Sequence, residues 1–145
     1  MPEKIDFKNA ASTASLIYFN NAALLLIQRK REPFKGMWAL PGGFHNCDVE
    51  TLEEAAIREF YEETNLRITD LELFCVNSSP TRDPRGHVID HVYIVKHCTG
   101  IARPKDDASA LRFYAKAELP EMAFDHKEVF DKFFAYLLRG MWYEG

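Results

Sequence analysis

The first part of the chain alternates between short apolar runs and polar breaks, a pattern that indicates β-strands. Apolar residues dominate positions 13–19 and 22–28, and two asparagines lie at the junction, at 20–21. Because Asn tolerates a left-handed backbone, this pair predicts a tight β-hairpin. A charged loop follows the hairpin, and the Pro-Gly-Gly sequence at 41–43 predicts a turn.

The next segment carries the local signals of a helix that begins near Thr51. Thr51 and Glu54 have the spacing of a capping box, in which each side chain bonds to the other residue's backbone N–H. Glu54 and Arg58 are four residues apart and are expected to form a favourable pair along the helix. Asn65 predicts the end of the helix, because Asn can take the left-handed conformation found there.

The second half of the chain predicts three strands and a final helix. The strand-like runs lie at about 67–76, 88–96 and 111–115. The helix is expected to be capped or oriented by His126 and to end at Gly140. Its apolar residues recur at helical spacing: Val129, Phe130, Phe133, Phe134, Leu137 and Leu138. Strands separated by two helices predict an α/β fold with a mixed sheet between helices.

Composition narrows the classes of protein that fit this chain. A length of 145 residues suits one domain, and a net charge of −4 without a basic run argues against a nucleic-acid partner. No apolar run reaches the length of about 18 residues expected of a membrane span, and the N-terminus lacks a signal-peptide pattern. Three widely spaced cysteines fit reduced thiols and a cytoplasmic location.

Three carboxylates in the first predicted helix carry the strongest chemical signal. Glu59, Glu62 and Glu63 have the i, i+3, i+4 spacing that places them on one helical face. Crowded carboxylates repel each other, so either some are protonated or a cation lies among them. We favour the cation, and oxygen ligands suit Mg²⁺, whose shell is usually completed by waters and substrate phosphates.

The residues around these acids resemble the Nudix box, Gly-x5-Glu-x7-Arg-Glu-apolar-x-Glu-Glu-x-Gly-apolar. Gly43, Glu50 and the segment 58–66 take the corresponding places. Two departures are visible: the loop between Gly43 and Glu50 has one residue more than the motif, and Asn65 replaces the usual Gly. Loops tolerate length changes, and Asn is a reasonable left-handed substitute for Gly.

The resemblance extends over most of the chain, to the ADP-ribose pyrophosphatase-like branch of the Nudix family. The similar segments lie at 29–44, 79–93, 106–113 and 118–126. The branch also includes the Nudix domains of bacterial regulators of NAD and sugar metabolism, which carry a C-terminal winged helix. This chain has no room for a winged helix, so we expect a single Nudix domain over 1–145 with the α/β/α sandwich of that family.

The resemblance implies a pyrophosphohydrolase that uses Mg²⁺ or Mn²⁺. By motif position, the metal ligands would be the backbone carbonyl of Gly42 and the carboxylates of Glu59, Glu62 and Glu63. The same three glutamates and Arg58 would form the catalytic group.

Other residues would support this group. Arg58 would pair with Glu50 and the acids and hold the ligands in place. The general base stays open: a box glutamate, Glu59 or Glu62, is our preference over the loop acids at 106–107.

The loop at 81–87 is our candidate for substrate recognition. Arg82 and Arg85 can each make forked bonds to a phosphate or carboxylate. Asp83 can hold one of these arginines or accept from a ribose hydroxyl. Gly43 has no side chain, so the main chain can approach the phosphates closely.

Three functions follow in order of preference. The first is hydrolysis of ADP-ribose or a related nucleotide sugar, and the second is hydrolysis of a nucleoside triphosphate. The third, from a different class, is a non-catalytic module that senses a nucleotide sugar. In each case the partner is a nucleotide-type small molecule, and a homodimer is possible.

Overall fold

This computed structural model describes residues 7–105 and 108–144, with side chains as far as position 140. The described residues form eight strands, two α-helices and one short 3₁₀ turn. The strands are β1 (Ala11–Ile17), β2 (Phe19–Asn20), β3 (Ala23–Arg29), β4 (Trp38–Ala39), β5 (Gly42–Phe44), β6 (Arg67–Asn77), β7 (Val88–Thr99) and β8 (Ala108–Ala115). The helices are α1 (Leu52–Thr64) and α2 (His126–Glu144).

The strands form two four-stranded sheets. The first has the order β5-β1-β7-β6 and is mixed, because β1 and β7 are parallel whereas the other pairs are antiparallel. In the second, β3 pairs antiparallel with β2, β4 and β8. The chain crosses from one sheet to the other after β1 and returns at β5, which brings the Gly42–Phe44 strand beside β1.

Side chains alternate across the strands, so β1 and β3 contribute to a core on each side. Leu24 and Leu26 pack with Phe130 of α2, whereas Leu25 packs with Phe60 of α1. Leu24, Leu25, Leu26, Phe60 and Phe130 are all fully buried. The sheets therefore lie between the two helices, and the predicted α/β/α arrangement with a mixed sheet is confirmed.

Local signals in the sequence determine several element ends. A hairpin is present, but its turn lies one residue later than predicted, with Asn21 and Ala22 at φ 51° and 61°, and only the short strand β2 pairs with β3 because β1 belongs to the other sheet. The capping box is confirmed: the Glu54 N–H donates to Thr51 Oγ1 at 3.1 Å, and the Thr51 N–H donates to Glu54 Oε1 at 3.0 Å. Asn65 ends α1 in the left-handed conformation at φ 66°.

Two predictions about glycines were wrong. The segment around Gly42 does not form a turn but strand β5, because it pairs with β1 in register with Ser15. Gly140 does not end the last helix, which continues to Glu144. A glycine inside a helix costs only about 1 kcal/mol relative to alanine, so the helix can continue through it.

Three further details differ from the sequence-based expectations. Arg58 pairs with other acids instead of Glu54. Strand β8 begins at Ala108, earlier than predicted, because pairing with β3 extends to Arg29. His126 does not cap α2 with its side chain; its Nδ1 accepts a hydrogen bond from the Leu40 N–H at 3.0 Å.

Candidate functional site

The acidic face of α1 lies directly against strand β5. A Cβ atom added to Gly43 would be 2.4 Å from Cδ of Glu59, so a larger residue at this position would displace the Glu59 carboxylate. At the neighbouring position, the Gly42 N–H donates to Glu63 Oε2 at 3.4 Å. Two of the three predicted carboxylate ligands therefore lie next to the glycine backbone, as the motif requires.

Arg58 connects the acids of this face with the loop that precedes α1. Its Nε and Nη2 donate to the two oxygens of Glu50 at 2.9 and 2.7 Å. Its Nη1 donates to Glu59 at 2.8 Å and to Glu62 at 3.1 Å. A fifth bond, from Nη2 to the Phe44 carbonyl at 3.0 Å, reaches β5. The predicted pairing of Arg58 with Glu50 and the acid cluster is confirmed.

Glu50 occupies its motif position despite the longer loop. Hydrogen bonds from Arg58 lower its pKa to about 2, and a bond from the Asn46 N–H acts in the same direction. The same Glu50 bonds raise the pKa of Arg58. The extra length is taken up by a turn in which Asp48 has φ 65°, so the Glu50 side chain still reaches the guanidinium.

Carboxylate and carbonyl oxygens at this face fit a hard divalent cation such as Mg²⁺ or Mn²⁺. Glu59, Glu63, Gly42 and Gly43 line one cavity together. Over the described residues, however, no three carboxylate, imidazole or thiol side chains converge on one point. Glu62 is the outlying member, since it does not line this cavity and its side chain is 40% exposed.

This larger cavity has a volume of about 330 Å³. Basic side chains from the end of β3, from the loop after it and from the 81–87 loop line it together with two carboxylates of α1. The lining residues are Ile27, Arg29, Lys30, Arg31, Glu32, Gly42, Gly43, Phe44, Asn46, Glu59, Glu63 and Arg85. The sequence predicts only a charged loop after β3, because no local pattern shows that it lies beside the acids of α1.

Arg85 reaches the cavity from the predicted recognition loop. Its Nε and Nη2 donate to Asp83 at 3.0 and 2.8 Å, and its guanidinium lies 4.6 Å from the Phe44 ring centre and 5.3 Å from that of Phe124. Burial alone would raise the pKa of Asp83, but the hydrogen bonds from Arg85 outweigh it and lower the pKa. Asp83 therefore orients Arg85, one of the two roles predicted for it.

Arg82 points away from the acidic face. It donates to both oxygens of Asp125, at 2.9 and 2.8 Å, and its side chain is only 5% exposed. Arg82 lines a second, smaller cavity, whereas Arg85 lines both. The two arginines therefore have different partners and line different cavities in part. Their assignment to substrate binding stays a prediction. The loop acids at 106–107 lie outside the described residues.

The family profile of the NUDIX domain matches residues 9–133, and the chain belongs to this family. The chain is 50% identical over 106 residues to an ADP-ribose pyrophosphatase of Methanocaldococcus jannaschii, covering 73% of this chain and 62% of that protein. It is 28% identical to an ADPR responsive transcriptional repressor of Acinetobacter baylyi, covering 93% of this chain and 57% of the repressor. The chain thus spans about three fifths of the length of these two relatives.

Solved structures show the same fold. The NUDIX domain of Shewanella oneidensis NrtR, complexed with ADP ribose, matches with a TM-score of 0.78 and 28% identity, over 90% of each chain. A bifunctional NMN adenylyltransferase/ADP ribose pyrophosphatase from Francisella tularensis, complexed with AMP and Mn ion, gives a TM-score of 0.77 and 29% identity, over 91% of this chain and 43% of that one. Within the described residues, no helix is long and apolar enough to cross a membrane.

The Glu50–Arg58 pair predicts how stability depends on pH. The pKa of Glu50 falls from 4.5 to about 2 on folding, so the pair stabilises the fold fully above pH 4.5 and progressively less as the pH falls towards 2. We expect Glu50→Gln to be less stable than the unmutated protein at pH 6, with the gap narrowing between pH 4.5 and 2. Urea unfolding at several pH values measures this gap. A gap that is constant over this range would contradict the pairing.

Proposed function

We propose that this protein hydrolyses the pyrophosphate bond of a nucleoside diphosphate linked to a sugar, with ADP-ribose as the first substrate to test. The observation that carries the proposal is the larger cavity, which is lined both by the carboxylates of Glu59 and Glu63 and by the basic side chains of the loop after β3 and of Arg85. A diphosphate bound together with a divalent cation has the charge pattern that such opposed walls can hold. The identity to an ADP-ribose pyrophosphatase and the fold shared with an ADP-ribose complex support this choice of substrate.

The residues of the acidic face would hold Mg²⁺ or Mn²⁺. The Gly42 carbonyl and the carboxylates of Glu59, Glu62 and Glu63 are its ligands in this proposal. When bound, the ion neutralises diphosphate charge and activates water for attack. Arg58 keeps Glu59 and Glu62 oriented through its Nη1 bonds.

A box glutamate, Glu59 or Glu62, is the proposed general base. Arg85 contacts a phosphate oxygen from the opposite wall, held for this contact by Asp83 and by the rings of Phe44 and Phe124. The missing side chain of Gly43 lets the phosphates approach the backbone of β5. These residues bind and orient the substrate, whereas the buried Arg82 supports the loop that carries Arg85.

The location and partners follow from the same reasoning. The three cysteines are free, which supports a cytoplasmic location. We propose a nucleotide-type small molecule as the partner.

The proposal is tested by hydrolysis assays with Mg²⁺ on ADP-ribose and, separately, on nucleoside triphosphates. We expect AMP release from ADP-ribose. Glu63→Gln should lower kcat about ten- to a hundredfold, because the substitution removes a metal ligand. ADP-ribose binding should largely survive. Glu128→Gln, a change to an exposed glutamate on α2, is the matched control and should leave the rate unchanged.

The alternatives give different outcomes in these assays. Turnover of triphosphates alone would show that the ADP-ribose assignment is wrong. Binding of ADP-ribose without turnover by the unmutated protein would support the sensing module. The similarity to an ADPR responsive repressor is the observation that favours this alternative.

The two loop arginines should respond differently to substitution. Arg85→Ala should raise KM for ADP-ribose on the order of tenfold, because a charge-assisted contact is lost. Arg82→Ala should instead lower the free energy of unfolding by about 3 kcal/mol, because Asp125 loses its buried partner. Steady-state kinetics and urea unfolding measure the two effects.

Lys127→Ala provides a control for the unfolding measurement. It breaks an exposed ion pair with Asp131 and should cost only about 0.5 kcal/mol.

A normal KM in Arg85→Ala would remove this residue from the substrate site.

A further inference from the structure

The C-terminal end of α1 is held by a segment that is distant in the sequence. This segment, residues 100–105, follows β7 and lies beside the last turn of the helix. The Arg103 N–H donates to the Thr64 carbonyl at 2.9 Å, and the Lys105 N–H donates to the Glu63 carbonyl at 3.2 Å. The last four carbonyls of a helix have no partner within the helix, so the segment supplies partners that α1 itself cannot provide.

This end of the helix carries one of the proposed metal ligands. Glu63 is the last residue but one of α1, it is buried, and its Oε2 accepts from the Gly42 N–H at 3.4 Å. The terminal turns of a helix open more readily than its centre. The position of the Glu63 carboxylate therefore depends on contacts from outside the helix, and the bond from the Lys105 N–H acts on the backbone of this residue directly.

Two side chains, one helical turn apart, tie segment 100–105 to this end of α1. Asn65 Nδ2 donates to the Ile101 carbonyl at 3.0 Å. The Lys105 ammonium lies 4.0 Å from the centre of the Tyr61 ring, and the Arg67 guanidinium lies 4.1 Å from the same centre. A cation over an aromatic face is attracted by the negative charge density of that face. The segment is thus held at both of its ends, by an amide and by an aromatic ring.

The Nudix motif requires neither of these two side chains. Tyr61 occupies a position where the motif accepts any residue, and Asn65 replaces the usual Gly. Glycine at position 65 could adopt the left-handed backbone, φ 66°, but it has no side chain that could donate to the segment. The approach is close, since a Cβ atom added to Gly100 would be 3.0 Å from the Asn65 carbonyl oxygen. The Asn65 amide therefore adds a contact that the usual motif lacks.

We propose that Asn65 and Tyr61 are positioning residues for the metal site. They hold segment 100–105 against the end of α1, and the segment in turn holds the backbone of Glu63. The described residues that line the larger cavity include neither Asn65 nor Tyr61, so both act on the metal through Glu63. This inference rests on the proposed function, since Glu63 is a metal ligand within that proposal.

The test replaces Asn65 with glycine, the usual residue of the motif. Asn65→Gly keeps the left-handed end of the helix but removes the donor to the Ile101 carbonyl. We expect the backbone amide protons of Arg103 and Lys105 to exchange with solvent faster, as measured by NMR on the metal-free protein. Mn²⁺ binding, titrated without substrate, should weaken about three- to tenfold, because one hydrogen bond that supports the ligand is lost.

Tyr61→Leu is a second variant, which keeps an apolar side chain on α1 but loses the attraction for Lys105, and it should show the same two effects. Asn21→Gly is the matched control, because Asn21 also has a left-handed backbone, at φ 51°, but lies in the turn between β2 and β3. It should leave amide exchange and Mn²⁺ affinity unchanged. Unchanged exchange in both folded variants, or faster exchange with unchanged Mn²⁺ affinity, would overturn the inference.

The outcome is separable from that of the proposed function. If ADP-ribose is hydrolysed but both variants bind Mn²⁺ as tightly as the unmutated protein, only the positioning role of Asn65 and Tyr61 fails. If both variants bind Mn²⁺ more weakly but the unmutated protein does not hydrolyse ADP-ribose, only the proposed activity fails.

Discussion

The arrangement of the site depends on the guanidinium of Arg58 and the acids around it. Three carboxylates on one helical face would repel each other, and this single cation offsets part of that repulsion. It also joins three separate segments: α1 itself, the loop that carries Glu50, and β5 through the Phe44 carbonyl. Without the Arg58 guanidinium, the carboxylates and strand β5 would lose the hydrogen bonds that hold them together.

The fold brings this charged cluster to a position where backbone groups can take part. Leucines on both faces of β3 are buried, which places the sheets between the helices, and β5 is an edge strand of the mixed sheet, where it pairs with β1. Gly43 has no side chain, so the Glu59 carboxylate of α1 comes within contact distance of the strand, whereas a side chain at Gly42 would meet the backbone of β1. The carboxylates of Glu59 and Glu63 lie beside this strand, which lines both the larger and the smaller cavity.

Much of this account could be predicted from the sequence because the signals are local. The capping box at Thr51, the left-handed Asn65 and the acid spacing all lie within one helix and its ends. The pairing of Arg58 with Glu50 followed from the family motif. The strand at Gly42 was not foreseen, since pairing with β1 is a long-range contact that a Pro-Gly-Gly sequence does not reveal.

Other parts of the site required the three-dimensional structure for the same reason. Arg82 and Arg85 lie three residues apart and look equivalent in the sequence, yet Arg82 pairs with Asp125, 43 residues away. Asp90 accepts from the Thr13 and Ser15 hydroxyls only because β7 lies beside β1, and His126 at the start of α2 accepts from the distant Leu40 N–H. No local pattern identifies such residues, and they emerge from topology and burial.

Manganese affinity tests the central role of Arg58 most directly, because Mn²⁺ binding can be titrated without substrate. If Arg58 organises the ligands, Arg58→Gln should weaken Mn²⁺ binding about ten- to a hundredfold. Arg139→Gln, a change to an exposed arginine on α2, should leave it unchanged. Equal or tighter Mn²⁺ binding by Arg58→Gln would show that the arginine competes with the ion for the carboxylates, and would contradict the account.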